Sequence, residues 1–143
     1  MNNIKQILEQ GISKFGVAIS DCWDAEHEWY ALKRGSAVIF ARERMIPIDD
    51  SNDFRHMVEF KSPLFELPST LPEAFYKEVL ELNNFMCDGC AFNFSNNFLQ
   101  IKFSINAAFV TPDFVFETMG NLLYWSDKYD DELMEKYKEF LAK

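Results

Sequence analysis

Glycine is scarce in this chain of 143 residues: there are five, and none is arranged as GxGxxG or as a Walker loop. A phosphate cradle needs closely spaced glycines so that backbone amides can approach the anion, which excludes nucleotide chemistry of that kind. Histidine is scarcer still, at two residues, and the three cysteines are an odd number. Such a count suits a reducing compartment better than a disulfide framework. Basic residues are outnumbered, 14 against 23 acidic ones, for a formal net charge of −9. Affinity for a phosphate backbone comes from Lys and Arg displacing counterions, so this balance argues against a nucleic-acid partner. Nowhere do eighteen apolar residues run together, and the start, MNNIKQILEQG, has no basic stretch followed by an apolar one. The expectation is a soluble cytoplasmic protein with no membrane partner.

Large apolar side chains are plentiful. Hydrophobic residues make up 48% of the chain, including fifteen Phe, three Trp and five Tyr. That is enough to close one continuous core, and the length predicts a single domain over 1–143.

Three segments read as helices. Ile4, Ile7, Leu8, Ile12 and Phe15 share one face, with Asn2 or Asn3 as cap and Gly16 as stop. Ser69 and Thr70 precede Pro72 and Glu73, a helix-start signature, and Phe75, Val79, Leu82 and Met86 then form a stripe over about 71–85. Thr111-Pro112-Asp113 repeats that signature, and apolar residues keep helical spacing from Val115 to Phe140. An unbroken helix of that extent would run roughly 45 Å. It must either bend near residues 126–131 or lay its far end on a second subunit.

Strands fill the gaps. A short one is predicted over 17–22, two over 28–42 with Gly35 as a turn or bulge, and one over 54–60, followed by an extended stretch between Pro63 and Pro68. Residues 45–53, with Pro47, read as a loop. In 90–103, Asn96-Asn97 as a two-residue turn sets Ser95 opposite Phe98, Phe94 opposite Leu99, Phe92 opposite Ile101 and Cys90 opposite Phe103. This register puts every apolar residue except Phe98 on the core face, and Asn93, Ser95, Gln100, Lys102 and Ser104 on a solvated back. The predicted class is α+β, two-layered, a mostly antiparallel sheet with helices on one face, in the order α-β-β-β-α-β-β-α.

Gly35-Ser36-Ala37 after an aromatic strand, Ser62-Pro63-Leu64-Phe65 running on to Leu67-Pro68, Leu80 and Leu82-Asn83-Asn84 at a helix end, and the Phe-rich hairpin together resemble the YbjN-type domains. Those domains are similar in fold to type III secretion chaperones. The resemblance covers most of residues 28–135. It implies a protein-binding domain, often dimeric, with no catalytic residues to carry over and an extended client segment bound along apolar grooves and sheet edges.

The chemistry-bearing motifs have bland readings beside their sharp ones. Cys87 and Cys90 form a CxxC, but it follows a helix instead of opening one, where the helix dipole would favour thiolate. Asp49-Asp50-Ser51-Asn52-Asp53 lacks the Gly and Glu that a calcium loop needs, because those places hold Phe54 and Phe60. His27 and His56 have no nucleophile motif nearby, and with Cys22 they show no zinc spacing. No cofactor, metal or catalytic residue is therefore assigned. Trp125, Tyr129, Leu133, Tyr137 and Phe140 line one stripe of the acidic C-terminal helix, and aromatics of that kind anchor protein interfaces. They are the candidate client or homodimer contacts, with core packing as the competing reading.

The expected function is therefore non-enzymatic protein binding, regulatory or chaperone-like, toward a client or a second copy. Two alternatives stand beside it: an acidic immunity or antagonist protein that neutralises a basic partner, and a small-ligand sensor with a pocket between helix and sheet.

Overall fold

A computed structural model of the chain describes residues 3–86 and 88–141. Asn3 caps the first helix, α1 (Ile4–Ser13), its Oδ1 accepting from the Gln6 amide at 3.3 Å, and Ile4, Leu8 and Ile12 turn inward. Gly16 takes φ +77°, which ends the turn after it. The strand expected over 17–22 does not form. A 3-10 turn at Ile19–Asp21 satisfies those amides locally, through bonds such as Cys22 N–H to Ile19 O at 2.9 Å. The chain joins the sheet at the two residues of β1 (Trp23–Asp24), with the Cys22 carbonyl accepting from the Ala31 amide at 2.8 Å just before them.

The other strands are β2 (Trp29–Arg34), β3 (Ala37–Pro47), β4 (Phe54–Glu66), β5 (Ala91–Ser95) and β6 (Phe98–Asn106). They form one sheet in the order β1-β2-β3-β4-β6-β5, every neighbouring pair antiparallel. Gly35, at φ +58°, is the turn between β2 and β3 and not a bulge in one strand. The expected loop over 45–53 shrinks, because β3 runs on to Pro47 opposite Phe54. The extended stretch expected after Pro63 is part of the same strand: β4 runs past residue 60 and through Pro63 to Glu66, with an irregularity between Pro63 and Phe65. Beyond Lys61 no β3 residue pairs with β4, so a residue without an amide hydrogen is accommodated there.

The β5–β6 hairpin adopts the register read from the sequence. Ser95 faces Phe98, Phe94 faces Leu99 and Phe92 faces Ile101, across a turn in which Asn96 and Asn97 have φ of +51° and +64°. Asn97 also ties the turn to the end of β4, donating from Nδ2 to Leu67 O at 2.9 Å and accepting from the Leu67 amide at 2.8 Å. Two side chains depart from the expected alternation. Phe94 stays 42% exposed although it lies on the core face, and Gln100, on the open face, is buried.

Helices α2 (Glu73–Leu82), α3 (Pro112–Lys136) and α4 (Lys138–Leu141) complete the chain, and the helical layer packs on one face of the sheet. α2 starts without the hydroxyl cap expected from Ser69 or Thr70, since Pro72 holds the cap position and has no side-chain bond to offer. α3 does have its cap, with Thr111 Oγ1 accepting from the Phe114 amide at 3.1 Å. It runs unbroken through 126–131. It breaks at Tyr137, and its far end lies against α2 of the same chain: Lys136 pairs with Glu78, and Tyr137 meets Phe75 edge-on at 5.1 Å between ring centroids. Ile39, Val58, Phe60, Leu99 and Ile101 from the sheet, with Leu8, Phe75, Met119 and Leu122 from the helices, form one core. Full burial of each such side chain contributes about 1.5–3 kcal/mol.

Candidate partner-binding surface

Among the described residues the sheet ends at β5, which pairs with β6 alone. Its other edge is covered in part. The Phe92 amide points away from β6 and is capped by Asn83 Oδ1 at 2.7 Å. By the two-residue alternation of an antiparallel strand, Phe94 turns its own amide and carbonyl to the same side. α2 lies along this edge and buries Phe75 and Val79, while Tyr76 and Leu80, four residues apart on its flank, stay 39% and 64% exposed. The Tyr76 and Phe94 rings meet at 5.6 Å. Two aromatics and a leucine thus stand in solvent beside backbone groups able to pair with another strand.

The residues expected to meet a partner are placed differently. Tyr129, Leu133 and Tyr137 are buried inside their own chain. Tyr129 packs on Phe92 at 5.3 Å, and Tyr137 donates its hydroxyl to Ala74 O at 3.3 Å. Trp125 is half-buried, stacked on Tyr129 at 5.7 Å, with Nε1 donating to Asp88 Oδ2 at 3.1 Å. Phe140 alone among the five is exposed. The stripe is continuous, but it faces α2 and β5. The exposed cluster had one sequence signal: Leu80 falls outside the stripe formed by Phe75, Val79 and Leu82. Phe94 gave none, because alternation places it on the core face and cannot tell that α2 leaves it at the rim.

The other groups singled out in the sequence do not converge. Cys87 lies outside the described residues. Cys90 is buried, and burial first, then the charge of Asp88, pushes its thiol up to about 11, far from the thiolate a nucleophile requires. Cys22 is likewise buried, with its thiol raised by burial and then by Asp21. Asp49 and its acidic neighbours form the β3–β4 turn, and His56 pairs with Glu43 across those strands. His27 Nδ1 sits 2.8 Å from Asp24 Oδ2 in an exposed loop. Between α1 and β2–β3 lies a cleft of about 220 Å³ lined by Leu8, Trp23, Tyr30 and Arg42. That is below the ~300–1,000 Å³ usual for a small-molecule site. Among the described residues, no helix is long and apolar enough to cross a membrane.

Compared with protein-family models and with curated proteins, the sequence matches none. The fold does have counterparts among solved structures. A chain of the ExsC–ExsE complex superposes with a TM-score of 0.59 at 14% identity, covering 92% of this chain and 96% of that one. A chain of the HopA1–SchA chaperone–effector complex superposes with a TM-score of 0.61, also at 14% identity, over 89% of this chain and 92% of that one. The likeness is one of fold, and it spans nearly the whole of each chain.

Proposed function

We propose that this chain is a non-enzymatic protein-binding module, chaperone-like in the sense implied by its resemblance to YbjN-type domains. It would work in the cytoplasm as a pair of copies joined at the α2–β5 edge, holding an extended segment of a client. The observation that carries this reading is the exposed set Tyr76, Leu80 and Phe94 beside the outer edge of β5. Exposed apolar residues next to an unpaired strand are a hazard that proteins normally blunt, so their presence points to a surface that is covered in use. The fold likeness to chains found in the ExsC–ExsE and the HopA1–SchA chaperone–effector complexes agrees with it. So do the two buried free thiols, Cys22 and Cys90, which suit a reducing compartment.

Sedimentation velocity tests the proposal. The wild-type chain should sediment as a dimer at micromolar concentration. Leu80→Asp, a substitution at a 64% exposed position, should shift it to monomer while leaving its far-UV circular dichroism unchanged, and should remove the concentration dependence of its thermal midpoint. A wild-type chain that remains monomeric at about 100 μM, far above the Kd of a typical specific pair, would remove the dimer from the proposal.

A further inference from the structure

The open face of the sheet is charged with the sign opposite to the chain. Residues in register share a face, and the pairings place Lys33, Arg42, Arg44, Arg55, Lys61 and Lys102 on the side away from the helices. Only Asp24, Glu59 and Glu66 accompany them on the strands of that face. Six cations against three carboxylates leave it at +3, so the remainder of a chain of net charge −9 stands at −12. Glu59 is already shared. Its carboxylate lies 2.8 Å from Arg44, 3.3 Å from Arg42 and 3.4 Å from Lys102. Lys33, Arg55 and Lys61 have no ion-pair partner among the described residues.

Beside Lys61 the face is apolar. Trp29 and Phe40 pack at 4.3 Å, the Lys61 ammonium sits 5.0 Å from the Trp29 ring, and Pro63 and Phe98 continue the surface around a depression of about 240 Å³. From Arg55 to Lys61 the cationic face spans six residue steps of β4, roughly 20 Å at strand rise, with Arg44 and Arg42 of β3 beside the intervening Met57 and Glu59. Burial, and then the charges of Arg42, Lys102 and Arg44, draw the Lys61 ammonium below the ordinary lysine range, although Glu59 opposes them. An incoming carboxylate would relieve that crowding.

We infer that this open face is a second docking surface, and that it takes an acidic segment of a partner polypeptide carrying an aromatic or aliphatic side chain for the Trp29–Phe40 depression. The inference rests on the protein-binding reading above and adds the chemistry of the client. Complementarity selects the occupant: carboxylates answer the unpaired cations, and a short segment escapes most of the repulsion from the −12 remainder that a long polyanion such as DNA would meet.

Fluorescence anisotropy on the full chain tests it, using a labelled peptide of about twelve residues that repeats Glu-Glu-Phe-Gly, its Lys-Lys-Phe-Gly counterpart and a short DNA duplex. The Glu peptide should bind at low salt, weaken at least tenfold near 0.5 M NaCl, and weaken at least tenfold in Lys61→Glu/Arg55→Glu, which breaks no ion pair of the fold. Leu80→Asp should bind it as the wild type does, which separates this surface from the α2–β5 edge. Failure of the wild type to bind the Glu peptide, equal binding of the Lys peptide or the duplex, or an unaffected double variant would each overturn the inference. So would loss of binding in Leu80→Asp alone, which would move the peptide to the α2–β5 edge. A dimer dissolved by salt and by Lys61→Glu/Arg55→Glu would assign the face to a second copy and overturn the stated occupant.

Discussion

Glu59 shows how one residue can sit against its type. It is 4% exposed on a face that the alternation of β4 turns to solvent, because the side chains of Arg42, Arg44 and Lys102 close over it. Burial raises its pKa, but the Arg44 hydrogen bond and the charges of Arg42, Lys102 and Arg44 outweigh that and hold the carboxyl below the usual carboxylate range. A carboxyl with a lowered folded-state pKa contributes stability that is present above its unfolded value, about 4.3, and is lost as the pH falls through the folded one. Glu59→Gln should therefore lose about 1–3 kcal/mol at pH 7, the range for hydrogen bonds to charged groups, moderated by the partial exposure of the three cations. Urea melts from pH 7 to pH 3 should show the gap between variant and wild type closing below about pH 4. A gap that persists at pH 3 would assign the loss to packing. Neither the burial of Glu59 nor that of Gln100 was legible in the sequence, since both depend on what neighbouring strands lay over them.

Elements were more legible than their surroundings. The hairpin register followed from Asn96-Asn97 and the apolar alternation, because a slip of one residue would turn that row into water. Helix caps were legible where the capping side chain was local, at Asn3 and Thr111. The close crossing of α1 and α3 was not. At Gly11 an added Cβ would lie 2.5 Å from Val115 Cβ and 2.8 Å from the Pro112 carbonyl oxygen, so the two helices approach across a residue with no side chain. Gly120, also helical, has nothing within 4 Å of that position. The same substitution should thus act with opposite signs. Gly120→Ala should stabilise by about 0.4–1 kcal/mol, whereas Gly11→Ala should destabilise by about 1–3 kcal/mol through overpacking that exceeds the helix-propensity gain. Chemical denaturation of both variants decides it, and a stabilised Gly11→Ala would mean that the crossing yields freely. The end of α3 teaches the same lesson. Its length suggested a bend or a second subunit, but α2 of the same chain takes up Tyr137, a contact between residues about sixty positions apart.

At the scale of the whole molecule, charge is segregated rather than spread. A cationic sheet face and a strongly acidic remainder coexist in a chain of net charge −9. Repulsion within the remainder opposes compactness and is screened by salt. Raising NaCl from about 0.05 to 0.3 M should relieve on the order of 1 kcal/mol and lift Tm by about 2–4 °C for a chain of this size, read by differential scanning fluorimetry. A Tm that falls instead would show that attraction, through pairs such as those at Glu59, dominates. By itself the sequence determined the α+β class, most of the element order, the hairpin register and the lack of a phosphate loop, because each follows from local periodicity, turn chemistry or composition. Only the tertiary structure decided which apolar residues end in solvent, Tyr76, Leu80 and Phe94 instead of Tyr129, Leu133 and Tyr137, and that six cations share one face. Exposure and charge grouping are properties of neighbours brought together from distant positions, and no single segment encodes them.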